Sequence, residues 1–215
     1  MKEYVRINQI AYDTLYNEYN TRAIKKSEYE EKAESLAGTV LNCAKSSFKR
    51  LTVLEIGPGS GEILSYFEEN GCRTVAVELS TKMAEMAKIR SSLTVFIIND
   101  ITETKFSNDQ FEVIYAGALI HLFPLNDALE LMKKFYNWLK PNGILFVNTT
   151  IHDVSEEGYY KKDDYGISVK RFRKKWTEKE FILAIQNTGL EIIQRLFTNE
   201  QDRKKQWVAF LCRKP

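Results

Sequence analysis

Three glycines at alternate positions mark the segment VLEIGPGSGE, residues 53–62. Gly57, Gly59 and Gly61 come directly after an apolar run, and a helical pattern begins at Glu62. Glycine lets the backbone turn sharply and lets a ligand approach without a Cβ atom in the way. The N–H groups at the start of a helix can donate hydrogen bonds to that ligand. The segment therefore predicts a nucleotide-binding loop between a strand and a helix.

Two carboxylates follow the next two apolar runs along the chain. Glu78 stands near the end of the run TVAVEL, and Asp100 comes after LTVFIIN. A carboxylate at the first position can accept hydrogen bonds from both hydroxyls of a ribose, and one at the second is placed to receive the amino group of adenine. The carboxyl ends of neighbouring parallel strands open into one crevice, so we expect the loop and both acids in one site.

Glu55 lies two positions before the first glycine of the loop. A carboxylate there would repel the pyrophosphate of a dinucleotide, and Glu62 occupies the third glycine position of the dinucleotide fingerprint G-x-G-x-x-G. An NAD(P)-dependent oxidoreductase is therefore the disfavoured alternative. S-adenosylmethionine, which carries an ammonium and a sulfonium, would instead be attracted by this charge.

Short apolar runs alternate with amphipathic stretches through the middle of the chain. Helical patterns lie between most of the runs, and Ala128, Leu131 and Phe135 form the apolar face of one of them. This alternation predicts a parallel sheet with both faces covered. The predicted strands are residues 51–57, 74–79, 93–98, 111–117 and 143–148.

The two ends of the chain complete this core. Helices are predicted for residues 4–19 and 27–44, and the runs 190–197 and 206–212 predict an antiparallel pair because the loop between them is too short for a parallel crossover. We expect a single domain over residues 1–215, with N-terminal helices (1–48), a cofactor-binding core (49–150), a substrate-lid insertion (151–176), and a helix with an antiparallel hairpin (177–215).

The order of these motifs resembles the class I S-adenosylmethionine-dependent methyltransferases of the small-molecule type. The resemblance rests on Glu55-x-Gly57-x-Gly59-x-Gly61, Glu78, Asp100-Ile101, FEVIYAGALIHLF and LKPNGILFV, with Asn142 in place of a usual glycine. It implies an α/β fold with a Rossmann-like, doubly wound sheet. The sheet would have seven strands in the order 3-2-1-4-5-7-6, strand 7 antiparallel, helices on both faces and an N-terminal helical lid.

The resemblance also implies roles for individual residues toward S-adenosylmethionine and its product S-adenosylhomocysteine. The glycine loop and Glu55 would contact the methionine part, Glu78 the ribose, and Asp100 with Ile101 the edge of the adenine. Leu79 and Met83 would flank the adenine, and Ala116 and Gly117 would present backbone near the methionine amine. Tyr19 comes from a separate observation, a stripe of tyrosines on the first predicted helix, whose interpretations are core or lid packing and a ring over the cofactor. The full set of candidate cofactor residues is Tyr19, Glu55, Gly57, Gly59, Gly61, Glu78, Leu79, Met83, Asp100, Ile101, Ala116 and Gly117.

The segment that follows the fourth strand, residues 116–124, lacks features of several acceptor classes. It has no Asn/Asp-Pro-Pro motif of base-amine enzymes and no acidic residue of the kind that arginine or catechol methyltransferases use, and no cysteine stands beside a proline as cytosine C5 enzymes require. What remains resembles the broad group of small-molecule N-, O- or C-methyltransferases, and we expect methyl transfer to a nitrogen or oxygen of a small molecule. His121 is the candidate catalytic base, and packing beside the cofactor is its structural alternative.

Five of the six residues from Lys170 to Lys175 are basic, and they lie in the insertion predicted to be a long loop that covers the site. We expect an acidic group of the acceptor to meet Lys170, Arg171 or Arg173. An RNA acceptor is the alternative that such a run leaves open, and a non-catalytic S-adenosylmethionine-binding module is another.

Composition excludes further classes. Lys and Arg number 31 against 29 Asp and Glu, and a net charge of +2 does not indicate a nucleic-acid coat. The N-terminus has no apolar signal core, no apolar stretch reaches the roughly 20 residues that a bilayer requires, and the three cysteines are too scattered for a metal or disulfide framework. We expect a cytoplasmic monomer or homodimer with no metal and no membrane contact, and the charge balance disfavours a nucleic-acid partner.

Overall fold

The computed structural model describes residues 1–24, 27–163, 166–200 and 205–215. The helices are α1 (Glu3–Ile24), α2 (Ser27–Lys45), α3 (Glu62–Glu69), α4 (Thr81–Arg90), α5 (Leu125–Trp138) and α6 (Glu178–Gln186), with a short 3₁₀ helix at Ile120–Leu122. The strands are β1 (Thr52–Ile56), β2 (Arg73–Glu78), β3 (Val95–Ile98), β4 (Phe111–Ala116), β5 (Leu139–Ile151), β6 (Glu156–Lys162), β7 (Val169–Lys175), β8 (Glu191–Glu200) and β9 (Lys205–Arg213). Within these ranges, no helix has the length and apolar character needed to cross a bilayer.

Seven of the strands form one sheet in the order β3-β2-β1-β4-β5-β9-β8. The first five pair in parallel, and β9 runs antiparallel to both β5 and β8. Numbered within this sheet alone, the order is 3-2-1-4-5-7-6 with the last strand antiparallel. The predicted topology is confirmed.

The two faces of the sheet carry separate clusters of buried apolar side chains, because neighbours along a strand point to opposite faces. In β1, Leu54 packs in the cluster that contains Phe135 of α5 and Phe181 of α6. Val53, the preceding residue, packs in the cluster that contains Phe67 of α3 and residues of α2. Helices therefore cover both faces, as predicted.

Strand β5 is longer than the predicted strand 143–148 and begins four residues earlier. It starts at Leu139, directly after α5, and its pairing with β4 is irregular near this start. Asn142 has a φ of 64°, the left-handed conformation that asparagine tolerates better than most residues. Asparagine thus takes over the backbone role of the glycine it replaces.

The insertion predicted as a loop, residues 151–176, contains an ordered β-hairpin instead. Strands β6 and β7 pair in antiparallel register from Glu156 opposite Lys175 to Lys162 opposite Val169. The buried Phe172 anchors the hairpin, since its ring centroid lies 5.5 Å from that of Tyr4 in α1. The dense lysines and arginines concealed this strand pattern, because their charged groups suggest exposure although their aliphatic stems can pack.

Replacing Gly61 by alanine is expected to lower the free energy of unfolding by about 2–5 kcal/mol. Gly61 has a φ of +89°, and an added Cβ would lie 2.9 Å from the carbonyl oxygen of Ala87 in α4. Gly71 is the matched control, because it has a similar φ of +78° but nothing within 4 Å of an added Cβ. Urea denaturation should show only the backbone strain, about 1–2 kcal/mol, for Gly71→Ala. Equal losses in the two variants would contradict a packing role for Gly61.

Candidate active site

A cavity of about 450 Å³ opens at the carboxyl ends of β1 to β4, with residues of α1 and of the hairpin in its walls. Most of the predicted site residues meet there. The predicted residues that line the cavity are Tyr19, Glu55, Gly57, Gly59, Glu78, Leu79, Met83, Asp100, Ile101, Gly117 and His121. The two predicted residues that do not are Gly61, which packs against α4, and Ala116, which is fully buried at the end of β4.

The glycine loop forms one wall of the cavity. β1 ends at Ile56, and the N–H of Gly57 donates a hydrogen bond of 2.9 Å to the carbonyl oxygen of Val77 in β2. This bond fixes the direction in which the chain leaves the sheet. Nothing lies within 4 Å of a Cβ added at Gly59, so the backbone there faces open space. A ligand can therefore approach this backbone closely.

Glu55 contributes a buried carboxyl group to the same wall. Only 4% of the residue is exposed, and its Oε2 accepts no hydrogen bond from the part of the chain that the structure describes. Burial, followed by the charges of Glu62 and Glu78, raises its pKa well above the usual value. A buried oxygen without a partner is costly, and a cationic ligand that donates to it would relieve that cost.

Glu78 and Asp100 stand at the next two strand ends. Oε1 of Glu78 accepts a hydrogen bond of 2.8 Å from the N–H of Ser80, and Oδ1 of Asp100 accepts one of 2.8 Å from the N–H of Thr102. Burial raises the pKa of Glu78 from 4.5 to about 7, against the opposing effect of its backbone hydrogen bonds. Glu55, Glu78 and Asp100 with the glycine loop are called the acidic end of the cavity below.

Three cationic side chains line the cavity elsewhere: Lys162 of β6 and Arg171 and Arg173 of β7. Lys162 and Arg171 are buried, and Arg171 donates a hydrogen bond of 3.1 Å to the hydroxyl of Tyr12 in α1. These three are called the basic end. Lys170, which was also expected to meet the acceptor, instead points outward with its ammonium 5.1 Å from the ring centroid of Tyr159.

His121 lies in the 3₁₀ helix after β4 and is 2% exposed. Its Nδ1 is 3.3 Å from the hydroxyl of Thr149 in β5. Burial is the main cause that lowers its pKa well below the usual value, and Arg173, Arg171 and Lys162 act in the same direction. The imidazole is therefore neutral near neutral pH.

Helix α1 contacts both ends of the cavity. At the acidic end, Gln9 donates to the carbonyl oxygen of Leu79 at 3.1 Å, and Asp13 accepts from the hydroxyl of Ser80. At the basic end, Asn8 accepts a 2.8 Å hydrogen bond from the N–H of Phe172, the residue between the two arginines. Asn8 and Lys162 were not among the predicted site residues, because neither belongs to a motif and both reach the site only through long-range packing.

In the described ranges, no group of three or more His, Cys, Asp or Glu side chains is arranged to hold a metal ion. The polar groups that line the cavity include its carboxyl groups, Lys162, Arg171 and Arg173, the neutral imidazole of His121 and the backbone of the glycine loop.

A family model described as a methyltransferase domain matches residues 28–195. The chain belongs to this family. Together with the sheet order, this identifies it as a class I S-adenosylmethionine-dependent methyltransferase, and S-adenosylmethionine is its cofactor.

Two curated proteins that are similar to this methyltransferase in sequence have different methyl acceptors in their names. It is 35% identical over 100 residues to phosphoethanolamine N-methyltransferase of Plasmodium falciparum (isolate 3D7), a match that covers 44% of this chain and 37% of the relative. It is 28% identical over 102 residues to malonyl-[acyl-carrier protein] O-methyltransferase of Enterobacter lignolyticus (strain SCF1), covering 47% of this chain and 39% of the relative. The matches thus span well under half the length of these relatives.

Among solved structures, the methyltransferase resembles the 1,6-didemethyltoxoflavin-N1-methyltransferase of Burkholderia thailandensis, which was crystallised with 1,6-didemethyltoxoflavin and S-adenosylhomocysteine. The TM-score is 0.75 at 16% sequence identity, and the match covers 99% of this chain and 89% of that one. At this identity the likeness establishes the fold alone, which extends over nearly the whole chain.

Proposed function

We propose that this enzyme transfers a methyl group from S-adenosylmethionine to a nitrogen or oxygen of a small acceptor that carries an anionic group. The observation that carries the proposal is the charge division of one cavity, which has an acidic end beside the glycine loop and a basic end formed by the hairpin. When bound, the cofactor supplies an electrophilic methyl group on a cationic sulfur. A cavity of about 450 Å³ that must hold both ligands favours a small acceptor.

The acidic end fits the cofactor. The Oε2 atom of Glu55 is buried without a partner among the described residues, and a carboxyl there suits an ammonium or sulfonium. Glu78 would accept hydrogen bonds from the ribose hydroxyls. The remaining proposed cofactor contacts are Gly57 and Gly59 of the loop, the adenine neighbours Leu79, Met83, Asp100 and Ile101, the backbone of Gly117, and the ring of Tyr19. Gly61 and Ala116 lie outside the cavity lining and are not among these contacts.

The basic end fits an acidic acceptor. Arginine side chains match phosphate and carboxylate oxygens with paired N–H donors, and Lys162 adds a further positive charge. One relative is a phosphoethanolamine N-methyltransferase, and phosphoethanolamine combines such an anion with an amine. That combination supports an acceptor whose anion lies at the basic end and whose nitrogen or oxygen lies near His121.

His121 is the proposed proton acceptor. Its Nδ1 faces Thr149, which leaves Nε2 for the acceptor. Nε2 takes the proton that the acceptor's nitrogen or oxygen gives up. The new bond joins that atom to the methyl carbon, and the electron pair of the broken carbon–sulfur bond stays on sulfur. General-base help of this kind is typically worth about 10²–10⁴ in rate.

Calorimetry and a methyl-transfer assay test the proposal together. S-adenosylhomocysteine should bind and NAD should not. Phosphoethanolamine should be methylated faster than ethanolamine, its matched control without the phosphate. Failure to bind S-adenosylhomocysteine would contradict the cofactor assignment, and equal rates for the two amines would contradict the anionic acceptor.

An RNA acceptor is the alternative that the basic run leaves open, and the structure gives it little support. Arg171 is buried at the cavity, and Lys174 is 2% exposed and paired with Glu180 at 3.0 Å. A polyanion is bound by exposed cations, and its affinity falls steeply as salt rises. Tight tRNA binding with a log–log salt slope of several units would overturn the small-molecule proposal.

The lid is a further part of this proposal. Helix α1 and the hairpin cover the cavity and are held together by the Asn8–Phe172 hydrogen bond and the Tyr4–Phe172 ring contact. We expect amide hydrogen exchange in α1 and the hairpin to slow when S-adenosylhomocysteine binds, while α6 changes little. Unchanged protection of both segments would contradict a ligand-coupled lid.

A further inference from the structure

Thr149 contacts the His121 ring. It lies in the fully buried part of β5, opposite Val208 of β9, and its hydroxyl is the group at hydrogen-bond distance from Nδ1. A neutral imidazole carries a proton on one nitrogen and a lone pair on the other. The lone pair is the negative end of the ring, so cations on the cavity side favour the tautomer with the proton on Nδ1, donated to Thr149, and the lone pair on Nε2.

The charged groups that act on His121 come from three elements. Arg171 and Arg173 belong to β7, Lys162 belongs to β6, and His152 follows β5. The other neighbours at this wall are neutral: Tyr12 of α1, and Trp207 of β9, whose ring centroid is 6.1 Å from that of His121. In the described structure, every charge that shifts the pKa of His121 therefore disfavours its protonation.

We propose that the acceptor's own anionic group, once seated among Lys162, Arg171 and Arg173, enables His121 to hold a proton on Nε2, and that Thr149 is the positioning residue that keeps Nε2 available. The proposal rests on the proposed function and deepens it. In this proposal, the anionic group of the acceptor both binds at the basic end and promotes proton transfer to His121.

The reason is a reversal of local charge. An anion at the basic end offsets the three cations and adds a negative charge near the ring, and both effects favour the imidazolium. By linkage, protonation of His121 must strengthen anion binding by the same factor. An acceptor without the anion would then be slow even at saturating concentration, so the loss would appear in kcat as well as in KM.

Nuclear magnetic resonance can observe this directly, because the sequence contains only two histidines, His121 and His152. His152→Asn removes one signal and assigns the other. The probe is sulfate, whose charge is constant across the titration, added to the complex with S-adenosylhomocysteine. We expect saturating sulfate to raise the pKa of His121 by about one to three pH units. A pKa that stays constant at saturation, or no binding of sulfate, would overturn the proposal.

The tautomer supplies a second, independent measurement. Nitrogen chemical shifts should place the proton of neutral His121 on Nδ1 in the wild type and in Thr149→Ser, which keeps the hydroxyl. Thr149→Val should shift the proton toward Nε2. A proton on Nε2 in the wild type would contradict the positioning role. So would a proton position that is unchanged in Thr149→Val.

Calorimetry of S-adenosylhomocysteine on the same samples distinguishes a failure of the proposed function from a failure of the His121 inference. Loss of cofactor binding would count against the proposed function itself. Intact cofactor and sulfate binding with an unresponsive His121 would remove only this inference.

Discussion

Glu78→Gln is expected to weaken S-adenosylhomocysteine binding by about 1–3 kcal/mol, because it removes the charge from an acceptor of two ribose hydrogen bonds. The same substitution is expected to stabilise the ligand-free protein at pH 8. In the free protein, the carboxyl must ionise while it is buried, with Asp13 nearby, and both conditions disfavour the charge. Glutamine keeps the shape of the side chain and avoids this ionisation.

The sign of the stability effect follows from the raised pKa. Below pH 4.5 the carboxyl is protonated in both the folded and the unfolded chain. Between pH 4.5 and about 7 the unfolded chain loses the proton while the folded protein keeps it, so the contribution of Glu78 to stability falls as pH rises through this window. The full difference is about 3 kcal/mol.

Urea denaturation at pH 5 and pH 8, with calorimetry of S-adenosylhomocysteine, measures both effects of the Glu78 substitution. The exposed Glu85 of α4 provides the matched control, and Glu85→Gln should leave both quantities unchanged. Unaltered affinity in a folded Glu78→Gln variant would contradict the proposed ribose contact.

The second large effect is expected at the basic end. Arg171→Gln should lower kcat/KM for an anionic acceptor by roughly 10²–10³-fold, since removing one partner of a buried charge pair typically costs about 2–5 kcal/mol. Lys170→Gln is the neighbouring control, because Lys170 is exposed and does not line the cavity. It should retain nearly full activity.

The comparison of phosphoethanolamine with ethanolamine shows whether Arg171 acts through the anion. The loss in Arg171→Gln should be much smaller for ethanolamine, which has no phosphate to bind. Similar losses for both amines, or for Lys170→Gln and Arg171→Gln, would show that the substitution disturbs the hairpin and would contradict an anion-binding role.

The acidic end was predictable from the sequence because its residues are placed by local rules. Glu55 and Glu78 each stand at a fixed position near the end of a parallel strand, and adjacent strand ends share one edge of the sheet. Short-range spacing was therefore enough to predict that these two carboxylates lie in one pocket wall. Gly61 belongs to the same motif, but the structure requires glycine there because α4 packs closely against it.

The basic end was not predictable to the same degree, because it depends on pairing between distant residues. Lys162 reaches the cavity through its register opposite Val169, and Asn8 reaches Phe172 across 164 positions of the chain. Periodicity analysis compares neighbours and contains no information about such pairs. The difference between Lys170 and Arg171 likewise emerges only once β7 is known to be a strand, which turns adjacent side chains to opposite sides.

The attachment of α1 to both ends of the cavity has a consequence for how many methyl groups one encounter delivers. Gln9 holds the edge of the acidic end and Asn8 holds the hairpin, so moving α1 to release either ligand breaks contacts to both. We therefore expect cofactor exchange and acceptor exchange to share a single opening event, a step of the kind that limits turnover in many enzymes. An acceptor able to take several methyl groups would leave after each one, and multiply methylated products would build up by repeated rebinding rather than during one stay on the enzyme.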